Sequence, residues 1–334
     1  MAGNPYVLGL NECTADCAQL VGGKATGLGA LVREGLQVPD GFAVTTTAYR
    51  EHVSHNRLAP ELERILADCG SYEAQLRASE QIRQVFDASS VPPALEDAVL
   101  RAHAALCHPA ETPVAVRSSA NAEDMADASF AGQQESYLWI LGGTEVLRHL
   151  VRCWASLFTT QAIAYRAHLG TSVADLAMGV VIQRMVPAES AGVMLTIDPM
   201  TGDRSAIVIE AAFGLGAAVV NGEVTPDRAY VDKVQLEIRS KSIGTKTVAY
   251  RFDATCQGTR LGDVPRELQN KPCVSDAEIL ELARLGKHME QAMGCTQDIE
   301  WAIGPGGNGK REVFLLQSRP ETIWSQKPAS SLAT

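Results

Sequence analysis

The run Gln297-Asp298-Ile299-Glu300-Trp301-Ala302-Ile303 is followed by Gly304-Pro305-Gly306-Gly307-Asn308-Gly309 and then by Val313-Phe314-Leu315-Leu316-Gln317-Ser318-Arg319-Pro320. The first and last runs read as strands, and the glycine-rich stretch reads as the turn that joins them. Side chains alternate faces along a strand, so Asp298 shares a face with Glu300, and Gln317 with Arg319. An odd register sum between the strands puts all four on one face. Ile299, Trp301, Ile303 and Leu316 are then expected on the other. Two carboxylates, a neutral oxygen ligand and a fixed cation suit a hard metal ion carrying phosphates, since magnesium takes one or two carboxylates and leaves room for phosphate oxygens. The same pattern also fits a solvated hairpin with ordinary surface charges.

The chain has 334 residues, 46% hydrophobic and 20% charged, with a net charge of −10. That is a globular profile with ample core. The acidic balance argues against a broad nucleic-acid or anionic-membrane surface, though a local cationic pocket remains compatible with it. No apolar run reaches membrane-spanning length, and Met1-Ala2-Gly3-Asn4-Pro5 lacks a signal-peptide pattern. Eight cysteines are scattered without a Cys-x-x-Cys pair. They are expected to be reduced thiols of a cytoplasmic protein.

Upstream, Leu20 to Leu31 is glycine-rich and leads into an apolar helix ending near Gly35. Thr46 to about Cys107 is helical, with Pro92-Pro93 marking a helix start. Val114 to Ser119, Met178 to Val186, Ala191 to Ile197 and Ala206 to Ala212 read as buried strands. Ser275 to Met293 reads as a helix with a Ser275/Glu278 capping box and Gly294 beyond its end. Helices dominate before residue 178 and strands after it. The expected class is α+β with two lobes, 1–178 and 179–325, their polar groups facing one cleft, and a disordered tail over 326–334.

Four further features point to an anionic ligand. Lys24 lies in a glycine loop opening a helix, where backbone N–H groups and an ammonium can act together. Arg117 ends an apolar strand and needs an anion or solvent. The loop containing Ser129, Ala131, Gly132 and Gln133 is flexible enough to approach phosphates. Gln183, Arg184, Met185 and Val186, at a strand end, can offer backbone groups to a purine edge. Two familiar phosphate signatures are absent. The P-loop fails at Ala18 and Ala25, and the dinucleotide fingerprint fails at Val219.

With these residues in view, the chain resembles the nucleotide-binding region of the phosphoenolpyruvate synthase and pyruvate phosphate dikinase family. The matching strings are Val21-Gly22-Gly23-Lys24-Ala25, Val38-Pro39-Asp40-Gly41-Phe42, Ala115-Val116-Arg117-Ser118-Ser119-Ala120, Ser129-Phe130-Ala131-Gly132-Gln133, Ser190-Ala191-Gly192-Val193-Met194, Glu210-Ala211-Ala212-Phe213-Gly214-Leu215-Gly216, Gln297-Asp298-Ile299-Glu300-Trp301 and Leu316-Gln317-Ser318-Arg319-Pro320. The resemblance implies an ATP-grasp fold with ATP in the cleft between two lobes. It implies that Lys24 and Arg117 hold phosphates, that Arg319 holds the terminal phosphates, and that Glu300 and Gln317 carry Mg2+ with Asp298 in support. It also implies that Gln183 to Val186 meets adenine. The implied chemistry is transfer of the β-phosphate of ATP to a histidine, with AMP and phosphate as products.

Family members carry that histidine on a separate swivelling domain, after glycines in a Thr-Ser-His or Ser-His context. None of the seven histidines here (52, 55, 103, 108, 149, 168 and 288) has that setting. The start and end of the chain read as natural. The expected protein is therefore the ATP-binding subunit of a split dikinase similar to phenylphosphate synthase. Its partner subunit would bear the phosphorylatable histidine, and a small hydroxyl compound such as phenol or p-cresol would be the acceptor. The alternatives are an ATP-grasp fragment of a phosphoenolpyruvate synthase or rifampin phosphotransferase, and a non-catalytic nucleotide-sensing subunit.

Overall fold

The structure, a computed structural model, describes residues 4–119, 136–169, 173–253, 258–306, 309–322 and Trp324. The chain divides into two compact units, one of Met1–Gly29 with Asp40–Met185 and the other of Ala30–Pro39 with Val186–Thr334. The expected boundary near residue 178 would cut off a strand that pairs inside the first unit. The described segment 30–39 also lies with the second unit, where the Leu315 N–H donates to Gln37 O at 2.9 Å.

Among the described residues, the first unit contains β1 (Val7–Gly9), β2 (Gly41–Val44), β3 (Val114–Ser119), β4 (Ser136–Ile140) and β5 (Gly179–Arg184). They form an antiparallel sheet in the order β1-β2-β5-β3-β4. The apolar run Val180-Val181-Ile182 explains why β5 is central, since both its faces are buried. Phe42, Val44, Val114, Val116, Val180 and Ile182 share one face and pack with Tyr49, Ile82, Phe86, Leu150 and Trp154 from the helices. Those helices start where the sequence supplies caps. The Thr45 hydroxyl accepts from Ala48 N ahead of Thr46–His55, and Ser71 accepts from Ala74 N ahead of Tyr72–Asp87. Pro93 opens Pro93–Leu106, where its missing N–H costs nothing.

The second unit contains β6 (Ser190–Leu195), β7 (Ala206–Phe213), β8 (Asp227–Asp232), β9 (Ile238–Ser242), β10 (Val248–Asp253), β11 (Gly258–Asp263), β12 (Gln297–Pro305) and β13 (Arg311–Pro320). Six of them form an antiparallel sheet in the order β13-β12-β6-β7-β8-β9, and β10 pairs with β11 separately. Helix Asp276–Met293 has the expected capping box, with Ser275 Oγ accepting from Glu278 N at 3.3 Å and Glu278 Oε2 accepting from Ser275 N at 2.7 Å. Gly294 ends the helix in the left-handed region at φ +70°. The helix covers one face of the sheet so closely that a Cβ on Gly286 would stand 2.8 Å from Met194 Sδ. Ile299, Trp301, Ile303 and Met194 lie on the same covered side and are fully buried.

Candidate functional site

The β12–β13 register places Asp298 opposite Arg319 and Glu300 opposite Gln317. Both pairs have the odd sum, so the four polar side chains share the face of the sheet that the helix does not cover. A β-bulge follows Glu300, and Leu315 rather than Leu316 stands opposite Trp301. This corrects the expectation for Leu316. The extra residue turns it over, and it packs with Phe314 against Val186, Ala191 and Ala302.

Ala302 and Ala191 face the same way as Glu300, because β12 pairs Ala302 with Ala191 and Glu300 with Val193. One face of one sheet therefore carries an apolar patch beside a row of carboxylate, amide and guanidinium groups. Farther along this row, Val193 pairs with Glu210 and Glu210 with Arg228. Arg228 Nε donates to Glu210 Oε1 at 2.8 Å. Neither the apolar patch nor this ion pair was read from the sequence, since both depend on which strands become neighbours.

Arg319 Nε and Nη2 both donate to Asp298 Oδ2, at 3.0 and 2.8 Å. Burial pushes the Asp298 carboxyl above its ordinary range, and Glu300 and Glu321 push the same way, while Arg319 opposes them. Asp298 thus orients the guanidinium and already has a cation beside it. Glu300 and Gln317 stand opposite each other on the same face, one carboxylate beside one amide. Among the described residues no group of three or more His, Cys, Asp or Glu side chains could hold a metal ion. The donor set of one carboxylate and one amide fits an ion that takes its other ligands from phosphates and water.

In the first unit, Ala115, Arg117 and Ser119 point to the face of the sheet away from the helical cluster, as do Val181 and Gln183, their β5 neighbours. Arg117 is half-buried and Gln183 is buried. Lys24 is brought to the end of β3 by a specific clamp, in which Ala25 N–H donates to Ser119 Oγ at 3.1 Å. The glycine-rich stretch is less of a loop than its composition implies. Short helix Ala18–Val21 and helix Gly23–Arg33 are separated only by Gly22, at φ +82°. Lys24 is the second residue of the longer helix, and one N–H of its first turn is engaged by Ser119.

Arg184 and Met185 do not offer the backbone donors expected of them. Arg184 N–H donates to Asp40 O at 2.8 Å, and Met185 N–H to Pro113 O at 2.9 Å. The Arg184 side chain turns back to the end of helix Pro93–Leu106, with Nε donating to Leu106 O at 2.9 Å. Val186 is buried in the apolar patch of the second unit. Ser129, Ala131, Gly132 and Gln133 lie outside the described residues.

These two units, each of helices packed on an antiparallel sheet, make the chain an α+β protein, and its class is that of the ATP-grasp fold. Residues 18–334 match the family model described as pyruvate phosphate dikinase, AMP/ATP-binding domain, and the chain belongs to that family. It is 41% identical to a phosphoenolpyruvate synthase of Aeropyrum pernix, over 96% of this chain and 43% of that protein. It is 38% identical to a probable phosphoenolpyruvate synthase of Methanocaldococcus jannaschii, over 95% of this chain and 27% of that protein. A rifampicin phosphotransferase of a Streptomyces species is 40% identical, over 95% of this chain and 36% of its own length. The chain thus spans less than half the length of these relatives. No helix among the described residues is long and apolar enough to cross a membrane.

Proposed function

We propose that the chain is the ATP-binding subunit of an ATP-dependent dikinase that passes the β-phosphate of ATP to a histidine on a partner subunit. That phosphohistidine then phosphorylates a small hydroxyl acceptor such as phenol or p-cresol. With water taking up the γ-phosphoryl group, the first half-reaction balances as ATP, water and histidine giving AMP, phosphate and phosphohistidine. Lys24 and Arg117 bind phosphates, Arg319 neutralises the terminal ones, and Glu300 and Gln317 hold Mg2+. The apolar patch of Val186, Ala191, Ala302 and Phe314 receives the adenine ring. Phosphoryl transfer asks chiefly for positioning and charge neutralisation, which this set of cations and metal ligands is suited to supply.

The observation that carries this reading is the register pairing Asp298 with Arg319 and Glu300 with Gln317 on the uncovered face of one sheet. The need for a partner histidine is supported by the histidines themselves. His52, His103 and His149 are buried, and burial holds each below the ordinary imidazole pKa. His288 sits beside Glu34 at 3.1 Å.

The test is a mixing assay with the partner and a phenolic acceptor. AMP and phosphate in equal amounts are expected, and ADP as sole product rejects the reading. A second reading, favoured by coverage of less than half of each relative, is that the sequence is the ATP-binding region of a longer single-chain synthase or antibiotic phosphotransferase. Gene context beyond its two ends separates the two.

A further inference from the structure

The start of helix Gly23–Arg33 is mounted on the end of β3, within the first unit. Ser119, the last residue of β3, is 0% exposed and pairs across the sheet with Gly179 of β5. The chain just ahead of the helix rests on that pair. A Cβ on Gly179 would stand 2.4 Å from Val21 O, and one on Gly22 would stand 2.0 Å from Ser119 O. Backbone lies against backbone there, with no room for a side chain. The Ser119 hydroxyl reaches farther, into the first helical turn, where it accepts from Ala25 N–H at 3.1 Å. Ala25 is the residue next to Lys24.

That hydrogen bond changes what the helix start can do. First-turn N–H groups are ready donors for an anion. Here Ser119 engages that of Ala25, and Gly22 O engages that of Thr26 at 3.2 Å. A phosphate contact at this helix start therefore falls to the Lys24 ammonium more than to those backbone groups. Ser119 also lies two residues from Arg117, on the same face of β3. One strand thus carries one proposed phosphate-binding cation directly and holds the other through a hydroxyl. Groups that bind one polyphosphate together must keep a fixed spacing.

We infer that Ser119 is a positioning residue for Lys24. Resting on the proposed role of Lys24 in binding ATP phosphates, its buried hydroxyl sets the ammonium relative to Arg117 without touching the nucleotide.

The test is a double-mutant cycle on binding of ATP with Mg2+ by the full chain, read by titration calorimetry without a partner, with ligand-free thermal unfolding measured for every variant. Ser119→Ala should weaken binding about three- to tenfold. Lys24→Met should weaken it at least about tenfold. The double variant should bind no more than about twofold worse than Lys24→Met, because the hydroxyl acts through the ammonium. A hydroxyl that merely stabilised the unit would lower the melting temperature and leave the affinity of the folded chain unchanged. One that touched phosphate itself would cost the same factor in both backgrounds. Ser119→Cys, close in volume and a weaker acceptor, repeats the cycle if the alanine chain does not fold. Unchanged affinity in the Ser119 variant, or an equal loss in both backgrounds, overturns the inference while leaving the role of Lys24 in place. Unchanged affinity in Lys24→Met overturns that role, and the inference with it.

Discussion

Arg319 and Asp298 show how much one pair of side chains can set. Two donors of Arg319 grip a single carboxylate oxygen of Asp298, which fixes the orientation of the guanidinium. On the proposed function, Arg319→Ala removes a pre-aimed charge-assisted donor. It should lower AMP formation with the histidine partner by about 100-fold or more, roughly 3 kcal/mol of transition-state stabilisation. Single-turnover kinetics would check this, and an unchanged rate would remove Arg319 from the phosphate site. His52 yields a prediction of a different kind. Burial lowers its pKa from 6.5 to about 4. A depressed folded-state pKa means that the folded state resists protonation, so the stability it contributes is present above pH 6.5 and lost as pH falls towards 4. The loss is up to about 3 kcal/mol. Urea unfolding at pH 7 and pH 4.5 should show a smaller acid penalty in His52→Phe than in the parent chain.

At the scale of elements, Gly22 joins two helices where no other residue fits well. A Cβ there would stand 2.0 Å from Ser119 O, and φ is +82°. Gly22→Ala should therefore destabilise the first unit by about 2 kcal/mol or more, or push the Lys24 helix off β3. The second case would appear as weakened ATP binding with nearly normal unfolding. Strand β12 makes a matching prediction. Trp301 is fully buried under helix Asp276–Met293, and Trp301→Ala should cost about 3–5 kcal/mol by opening a cavity. Among the described residues its indole Nε1 has no hydrogen-bond partner. Trp301→Phe should consequently cost much less than Trp301→Ala, because it removes an unsatisfied donor together with some volume. Denaturation midpoints of the two variants decide this, and equal losses would mean that the indole nitrogen is satisfied. The strands and their alternation were legible from residue pattern alone. The bulge after Glu300 was not, because no residue in Val313 to Pro320 marks it, and it alone moved Leu316 to the other face.

For the molecule as a whole, a ligand that binds only the folded chain must raise its stability. On the proposed function, ATP with Mg2+ at about 100 times the dissociation constant should add about 2.7 kcal/mol. Chelating the metal should remove much of that gain, and Glu300→Ala should remove the metal-dependent part while leaving the nucleotide-free melting temperature nearly unchanged. Thermal shift with and without chelator tests this directly, and a Glu300→Ala chain that keeps its full Mg2+ response would place the metal elsewhere. By itself the sequence determined the α+β class, the capped helix Asp276–Met293, the strand pair β12–β13 and the two same-face pairs, Asp298 with Glu300 and Gln317 with Arg319, which the observed register then brings to one face. These follow from local periodicity, capping chemistry and turn residues, which act over a few positions. The tertiary structure alone decided that β5 belongs with β2 and β3, that Ala191 and Ala302 build an apolar patch beside Glu300, and that Arg184 and Met185 give their N–H groups to Asp40 and Pro113. Each of these joins segments far apart in the chain. Which strand lies next to which is set by the sum of many burial and hydrogen-bonding terms across the whole fold, and no short window of sequence contains that sum.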